Sequence, residues 1–192
     1  MSLPKIGIII SSTREGRFGD RPAAWIAEIA AARRDATFEI VDLRDHPLPF
    51  YDEAASPAYG AVGNPAGQHW GELMAGFDGF IFITAEYNHS ITGVLKNALD
   101  YLYPQMNRKP AAFVSYGGVG GARAVEQLRL ILVELQMAPL RNAVHIGMSE
   151  YLGVVTEGKS IADYPYLAES ARVMLDDLLW WTRALADARS AG

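Results

Sequence analysis

The sequence contains no cysteine. Disulfide frameworks, thiol nucleophiles and cysteine-ligated metal sites are therefore ruled out. Long apolar runs are missing too: no stretch approaches the roughly 18 apolar residues of a membrane span. The amino-terminal run Ile6–Ile10 is too short for a signal peptide, and charge follows it rather than a small-residue cleavage site. A cytoplasmic protein is expected. Basic charge is scarce, with 17 Lys and Arg against 22 Asp and Glu, a net charge of -5. That balance provides no basic face for general nucleic-acid binding. The four histidines, His46, His69, His89 and His145, match none of the His-x-x-x-His spacings of metal sites. No Gly-x-Ser-x-Gly elbow occurs either. No metal site and no catalytic acid, base or nucleophile is nominated.

What is present reads as one α/β domain over residues 1–192, with 50% apolar and 20% charged residues. Lys5–Ile10 is a continuous β-branched run, as in a strand buried on both faces. Further strands are expected at Thr37–Leu43, Gly79–Thr84, Pro110–Gly118 and Pro139–Gly147. Helical periodicity occupies the intervals: Arg21–Arg34 with Asp20 as cap, a helix around His69–Ala75, Ile91–Leu102, Ala122–Gln136, and a closing helix over Tyr164–Ala188. Residues Arg189–Gly192 are expected to fray. Strand and helix alternate throughout, which implies a parallel sheet covered on both faces. Five strands suit a flavodoxin-like, doubly wound sheet of order 2-1-3-4-5 better than a Rossmann half-domain. The Pro/Gly-rich segment 44–67 is long enough to be functional.

In such a sheet, ligands lie beyond the carboxyl ends of the strands. Three unusual loops meet there. "SSTREGRFGD" offers hydroxyls from Ser11, Ser12 and Thr13, charge from Arg14 and Arg17, and close backbone approach at Gly16 and Gly19. Ahead of a helix start, that composition suits a phosphate. "SYGGVGGA", Ser115–Ala122, carries four glycines and suits a flat ligand held against backbone. It is not a dinucleotide fingerprint, because Arg123 occupies the third glycine position. "AEYNHS", Ala85–Ser90, sets Tyr87 beside Asn88, a pairing that can shield and read a heterocycle. In the plainer reading, Ser90 simply caps the next helix.

One motif points elsewhere. "GVVTEGKS", Gly153–Ser160, satisfies the P-loop pattern Gly-x-x-x-x-Gly-Lys-Ser. It lies after the last strand, with Pro165 close behind, and no later strand can supply a magnesium-binding Asp. It is read as a glycine-punctuated surface loop. His145 is expected to be packed or capped, and Trp180 and Trp181 to serve the core or a subunit contact.

Taken together, the loops resemble the NAD(P)H-dependent FMN reductase family of the flavodoxin-like superfamily. Ser11-Ser12-Thr13-Arg14 is similar to its Gly-Ser-x-Arg loop, with Ser in place of Gly. Ala85-Glu86-Tyr87-Asn88-His89-Ser90, followed by Gly93-Val94-Leu95-Lys96-Asn97-Ala98, resembles its third-strand motif, with Ala in place of Pro. The resemblance spans Lys5 to about Ile146. It implies that Ser12, Arg14, Arg17, Phe18 and Gly19 hold the FMN phosphate. It implies further that Glu86, Tyr87, Asn88, Ser115, Gly117 and Gly118 frame the isoalloxazine. The implied activity moves reducing equivalents from NADH or NADPH through FMN to a small acceptor: a flavin, quinone, azo compound or metal oxyanion. A homodimer or homotetramer is implied, with the loop His46–Tyr59 helping to shape the pocket. The competing readings are an FMN-binding electron carrier with protein partners, which Arg14 and Arg17 argue against, and a flavin-free binding protein on the same fold.

Overall fold

The computed structural model describes residues 3–191. Runs of β-branched and aromatic residues form the strands, because such side chains pack well on a pleated surface shielded from water. They are β1 (Lys5–Ile10), β2 (Thr37–Asp42), β3 (Gly79–Ala85), β4 (Pro110–Tyr116) and β5 (Ala138–Ile146). All pair in parallel, in the order β2-β1-β3-β4-β5. The flavodoxin-like expectation is met. The inner strands β3 and β4 are buried at every position, whereas the edge strands β2 and β5 mix buried with exposed residues.

The helices are α1 (Asp20–Ala31), α2 (Pro65–Ala75), α3 (Gly93–Asp100), α4 (Ala122–Glu134), α5 (Met148–Thr156) and α6 (Pro165–Ala191), with a single 3-10 turn at Ile161–Asp163. Period-two alternation divides each inner strand between two cores. Ile6, Ile8 and Ile10 face α1 and α6, with Ile81, Ile83 and Val114 beside them. Ile9, Phe80, Phe82 and Phe113 face α2, α3 and α4. Each such fully buried side chain stabilises the fold by roughly 1.5–3 kcal/mol. Gly7 belongs to the second face, where a Cβ would press on the Phe77 ring at 3.2 Å.

Four local expectations change. Asp20 does not cap α1: the cap position is Gly19 and makes no side-chain bond. Ser90 does not cap α3; Thr92 does, accepting from the Leu95 N–H at 3.2 Å. Residues Met148–Thr156 form a helix, so the front of "GVVTEGKS" is helical rather than loop. The closing helix runs on to Ala191, because Arg189 is tethered to the Arg108 carbonyl and to Asp78. Gly192, the last residue expected to fray, lies outside the described residues. Among the described residues, no helix is long and apolar enough to cross a membrane.

Candidate functional site

The first loop leaves β1 at Ser11 and enters α1 at Asp20. The two arginines within it go to different places. Arg14 is exposed, and among the described residues no acceptor takes its guanidinium. Arg17 is buried, its side chain 2% exposed. Its Nε donates to Asp20 at 2.8 Å, its Nη1 to Asp42 at 2.6 Å and to the Ser12 carbonyl, and its Nη2 to both carboxylates. All five guanidinium N–H groups are thereby committed. The hydrogen bond with Asp42 leads in holding this guanidinium above its ordinary pKa. Arg17 is thus a strut between loop and β2, with no donor left for a phosphate, and the sequence expectation for it is corrected. From outside, Arg44 grips the Thr13 and Arg14 carbonyls. These two clamps engage the Ser12, Thr13 and Arg14 carbonyls of the loop.

Phe18 also turns inward, 6% exposed and packed on Tyr116 and Tyr151. Gly19 sits over the Tyr116 hydroxyl. Ser12 is buried, and its hydroxyl meets the Tyr87 hydroxyl at 3.1 Å. Ser11 Oγ is buried with no hydrogen-bond partner.

Beyond β3, Tyr87 and Ser90 exchange backbone hydrogen bonds across Asn88 (φ 51°) and His89 (φ 67°). This is a two-residue turn with both central residues left-handed, which Asn tolerates better than most. Its anchor is Arg123 in the first turn of α4. Arg123 donates through Nε to Glu86 at 2.6 Å and through Nη1 to His89 at 2.8 Å. The Glu86 side chain is 4% exposed and bound in that ion pair. The Glu86 carboxylate therefore fastens the rim to α4. Tyr87 and Asn88 remain on the exposed edge.

Ser115 is likewise internal. Its Oγ donates to the Gly120 carbonyl at 2.7 Å and meets His145 Nδ1 at 2.8 Å. Gly120 and Gly121 have φ of 71° and 74°, and a Cβ would stand 2.9 Å from that of His145 and 2.7 Å from that of Ser115. A Cβ on Gly117 would stand 3.0 Å from that of Glu86, so three of the four glycines answer to packing. Gly118 meets nothing within 4 Å and is the free part of the rim.

Ser12, Thr13, Arg14 and Tyr87 line one cleft of about 430 Å³. Its other wall, which sequence reasoning did not identify residue by residue, is Leu48, Phe50, Thr92, Gly93, Val94 and Asn97. Asn97 holds that wall: its amide donates to the Pro49 carbonyl at 2.8 Å and accepts from the Tyr51 N–H at 2.9 Å. Thr92 Oγ1 donates to the Ser11 carbonyl at 2.6 Å, tying α3 to the first loop. The length of segment 44–67 was the sequence signal for this wall; the pairing with Asn97 carried none.

A doubly wound parallel sheet with an anion-suited loop and an open planar rim at its carboxyl edge defines a flavodoxin-like nucleotide-binding protein. Residues 4–150 match the family described as NADPH-dependent FMN reductase. The chain belongs to that family and is an oxidoreductase; FMN and a reduced nicotinamide are the cofactors of its chemistry. It is 38% identical over 146 residues to an NAD(P)H-dependent FMN reductase of Schizosaccharomyces pombe, covering 73% of this chain and 72% of that protein. It is 30% identical over 157 residues to a quinone reductase of Escherichia coli, covering 79% and 78%. In structure it is similar to the flavoenzyme NAD(P)H:(acceptor) oxidoreductase of Paracoccus denitrificans, with TM-score 0.69, 22% identity and coverage of 95% and 98%. That last likeness shows the fold.

Proposed function

We propose that the first loop holds the FMN phosphate through Ser12, Thr13, Arg14 and the amino terminus of α1, and that Tyr87, Asn88, Gly117 and Gly118 border the ring. One observation carries this assignment: an unpaired Arg14 guanidinium and the Ser12 and Thr13 residues line one cleft, in the loop that runs into α1. The buried, unpartnered Ser11 hydroxyl nearby shows that the loop's polar groups are not all satisfied internally. The residues present therefore fit the phosphate. FMN, when bound, supplies two-electron chemistry between nicotinamide and acceptor. The protein orients and shields. At the start of α4 the Arg123 N–H is already taken by the Glu86 carboxylate at 3.2 Å, so the open backbone of that rim is Gly118. Leu48, Phe50 and Val94 exclude water from one side of the cleft.

The acceptor is a small molecule of the quinone or flavin class, reached at the open side of the rim. The chain works as a homodimer or homotetramer in the cytoplasm, where reduced nicotinamide is at hand. Support for assembly comes from Trp180 and Trp181, 62% and 40% exposed on α6. The sequence left core and subunit contact both open for this pair; its exposure removes the core. Extraction of bound flavin with mass analysis, followed by anaerobic bleaching with NADH and NADPH and reoxidation by a benzoquinone, tests the reading. FAD in the extract, or no bleaching by either donor, would sink it. Light scattering tests the assembly.

A further inference from the structure

We propose that the Tyr116 hydroxyl donates a hydrogen bond to the phosphate of FMN beneath the amino terminus of α1. The inference rests on the flavin-binding reading above and adds a residue to it. Tyr116 is the last residue of β4, and its side chain enters the core shared with α1. The residue is 8% exposed, and Phe18 packs edge-on against the ring at 5.2 Å. Its oxygen lies 3.0 Å from where a Gly19 Cβ would stand, directly under the residue that opens α1. No described residue hydrogen-bonds to that oxygen. The ring is enclosed, but the hydroxyl oxygen keeps access to solvent beside Gly19, so it is free to meet a ligand there.

Gly19 supports the same conclusion. Its φ of -54° and ψ of -25° are open to any residue, so no glycine is needed for backbone conformation. What glycine leaves is room. A Cβ would press on the Tyr116 oxygen and push it from the helix start. Burial, with Tyr87 adding to it and Arg17 and Arg14 opposing, raises the phenol above its ordinary pKa. The hydroxyl therefore keeps its proton and serves as a donor. Arg17 has no donor to spare, which leaves Arg14 as the one free guanidinium of the loop. A phosphate has acceptor capacity beyond what Arg14 can fill, and the phenol supplies a neutral donor from below.

The test titrates flavin-free protein with FMN and with riboflavin, which lacks the phosphate, following flavin fluorescence. Tyr116→Phe is expected to weaken FMN binding roughly tenfold to a hundredfold and leave riboflavin binding unchanged. The melting temperature of the flavin-free variant should stay close to wild type, because the hydroxyl is open to solvent. Gly19→Ala, compatible with the backbone, should reproduce the FMN-selective loss by displacing the hydroxyl, and the double variant should lose no more than Tyr116→Phe alone. Equal weakening of both flavins, unchanged FMN affinity, or fully additive losses would overturn the assignment. Wild-type protein that binds neither flavin would instead overturn the FMN reading itself.

Discussion

Arg14 and Arg17 stand three positions apart in one loop and differ in everything that matters for chemistry. Arg14→Ala should weaken FMN binding about tenfold to a hundredfold, the cost of a charge-assisted hydrogen bond, with turnover at saturating FMN nearly retained. Flavin titration beside steady-state kinetics reads both. Arg17→Ala should act on stability instead. It strands Asp42, whose side chain is 20% exposed, and removes the link from loop to β2. Breaking a buried pair costs about 3–5 kcal/mol, and the partial exposure of both carboxylates brings the expectation nearer 2–3 kcal/mol. Urea unfolding measures it; a loss under about 0.5 kcal/mol would contradict the strut. Sequence alone treats these residues alike, because both are cations beside a phosphate-binding pattern. The positions of Asp20, at the start of α1, and of Asp42, brought alongside by the β1–β2 pairing, separate them.

Elements here end where side chains elsewhere in the chain finish them. Lys109, just before β4, donates from Nζ to the Met74 and Ala75 carbonyls at 3.2 and 3.1 Å, closing the carboxyl end of α2. Burial, with a smaller contribution from Arg189, pushes its ammonium down from 10.5 to about 8. Between those values the unfolded chain holds the proton and the folded chain has released it. This site therefore makes stability rise with pH from about 8 to 10.5, and its penalty is full below 8. The urea midpoint of wild type minus that of Lys109→Met should rise across that window; a flat difference would refute the cap's titration. At α5, "GVVTEGKS" straddles a helix end, and Lys159 pairs with Glu157 at 2.8 Å in the open. Lys159→Ala should leave the urea midpoint and reductase turnover unchanged, and calorimetry should find no Mg-ATP binding. Heat that vanishes in the variant would reinstate the nucleotide site.

At the scale of the molecule, FMN should act as a brace across elements joined by few direct bonds. The first loop, the Tyr87 turn and segment 44–67 meet at the cleft, linked by Ser12–Tyr87, Thr92–Ser11, Asn97–Pro49 and the Arg44 grip on the Thr13 and Arg14 carbonyls. A ligand bound only by the folded state adds stability by mass action. FMN at a hundred times its Kd should add about 2.7 kcal/mol. Thermal melts against FMN concentration check this, and a melting temperature independent of FMN would refute it. Riboflavin at equal concentration should add less, because Arg14 has nothing to hold.

Much of this molecule was determined by the sequence itself. Continuous apolar runs at Lys5–Ile10, Gly79–Ala85 and Pro110–Tyr116 demand two covered faces, and alternation with helices then admits few topologies. The location of the candidate site follows from the same order, since the three odd loops all leave the carboxyl ends of strands. Which polar residues remain free for a ligand was decided by tertiary structure alone. Glu86 and Ser115 stand in the right loops, yet Arg123 and the Gly120–His145 pair claim them across 37, 5 and 30 residues of chain. Tyr116 stands in an apolar strand and reads as core, yet its oxygen arrives under the first helix with no partner. Local pattern reports which groups a segment owns. Hydrogen-bond satisfaction is settled between segments distant in sequence, so only the folded chain shows which donors are spent and which are left.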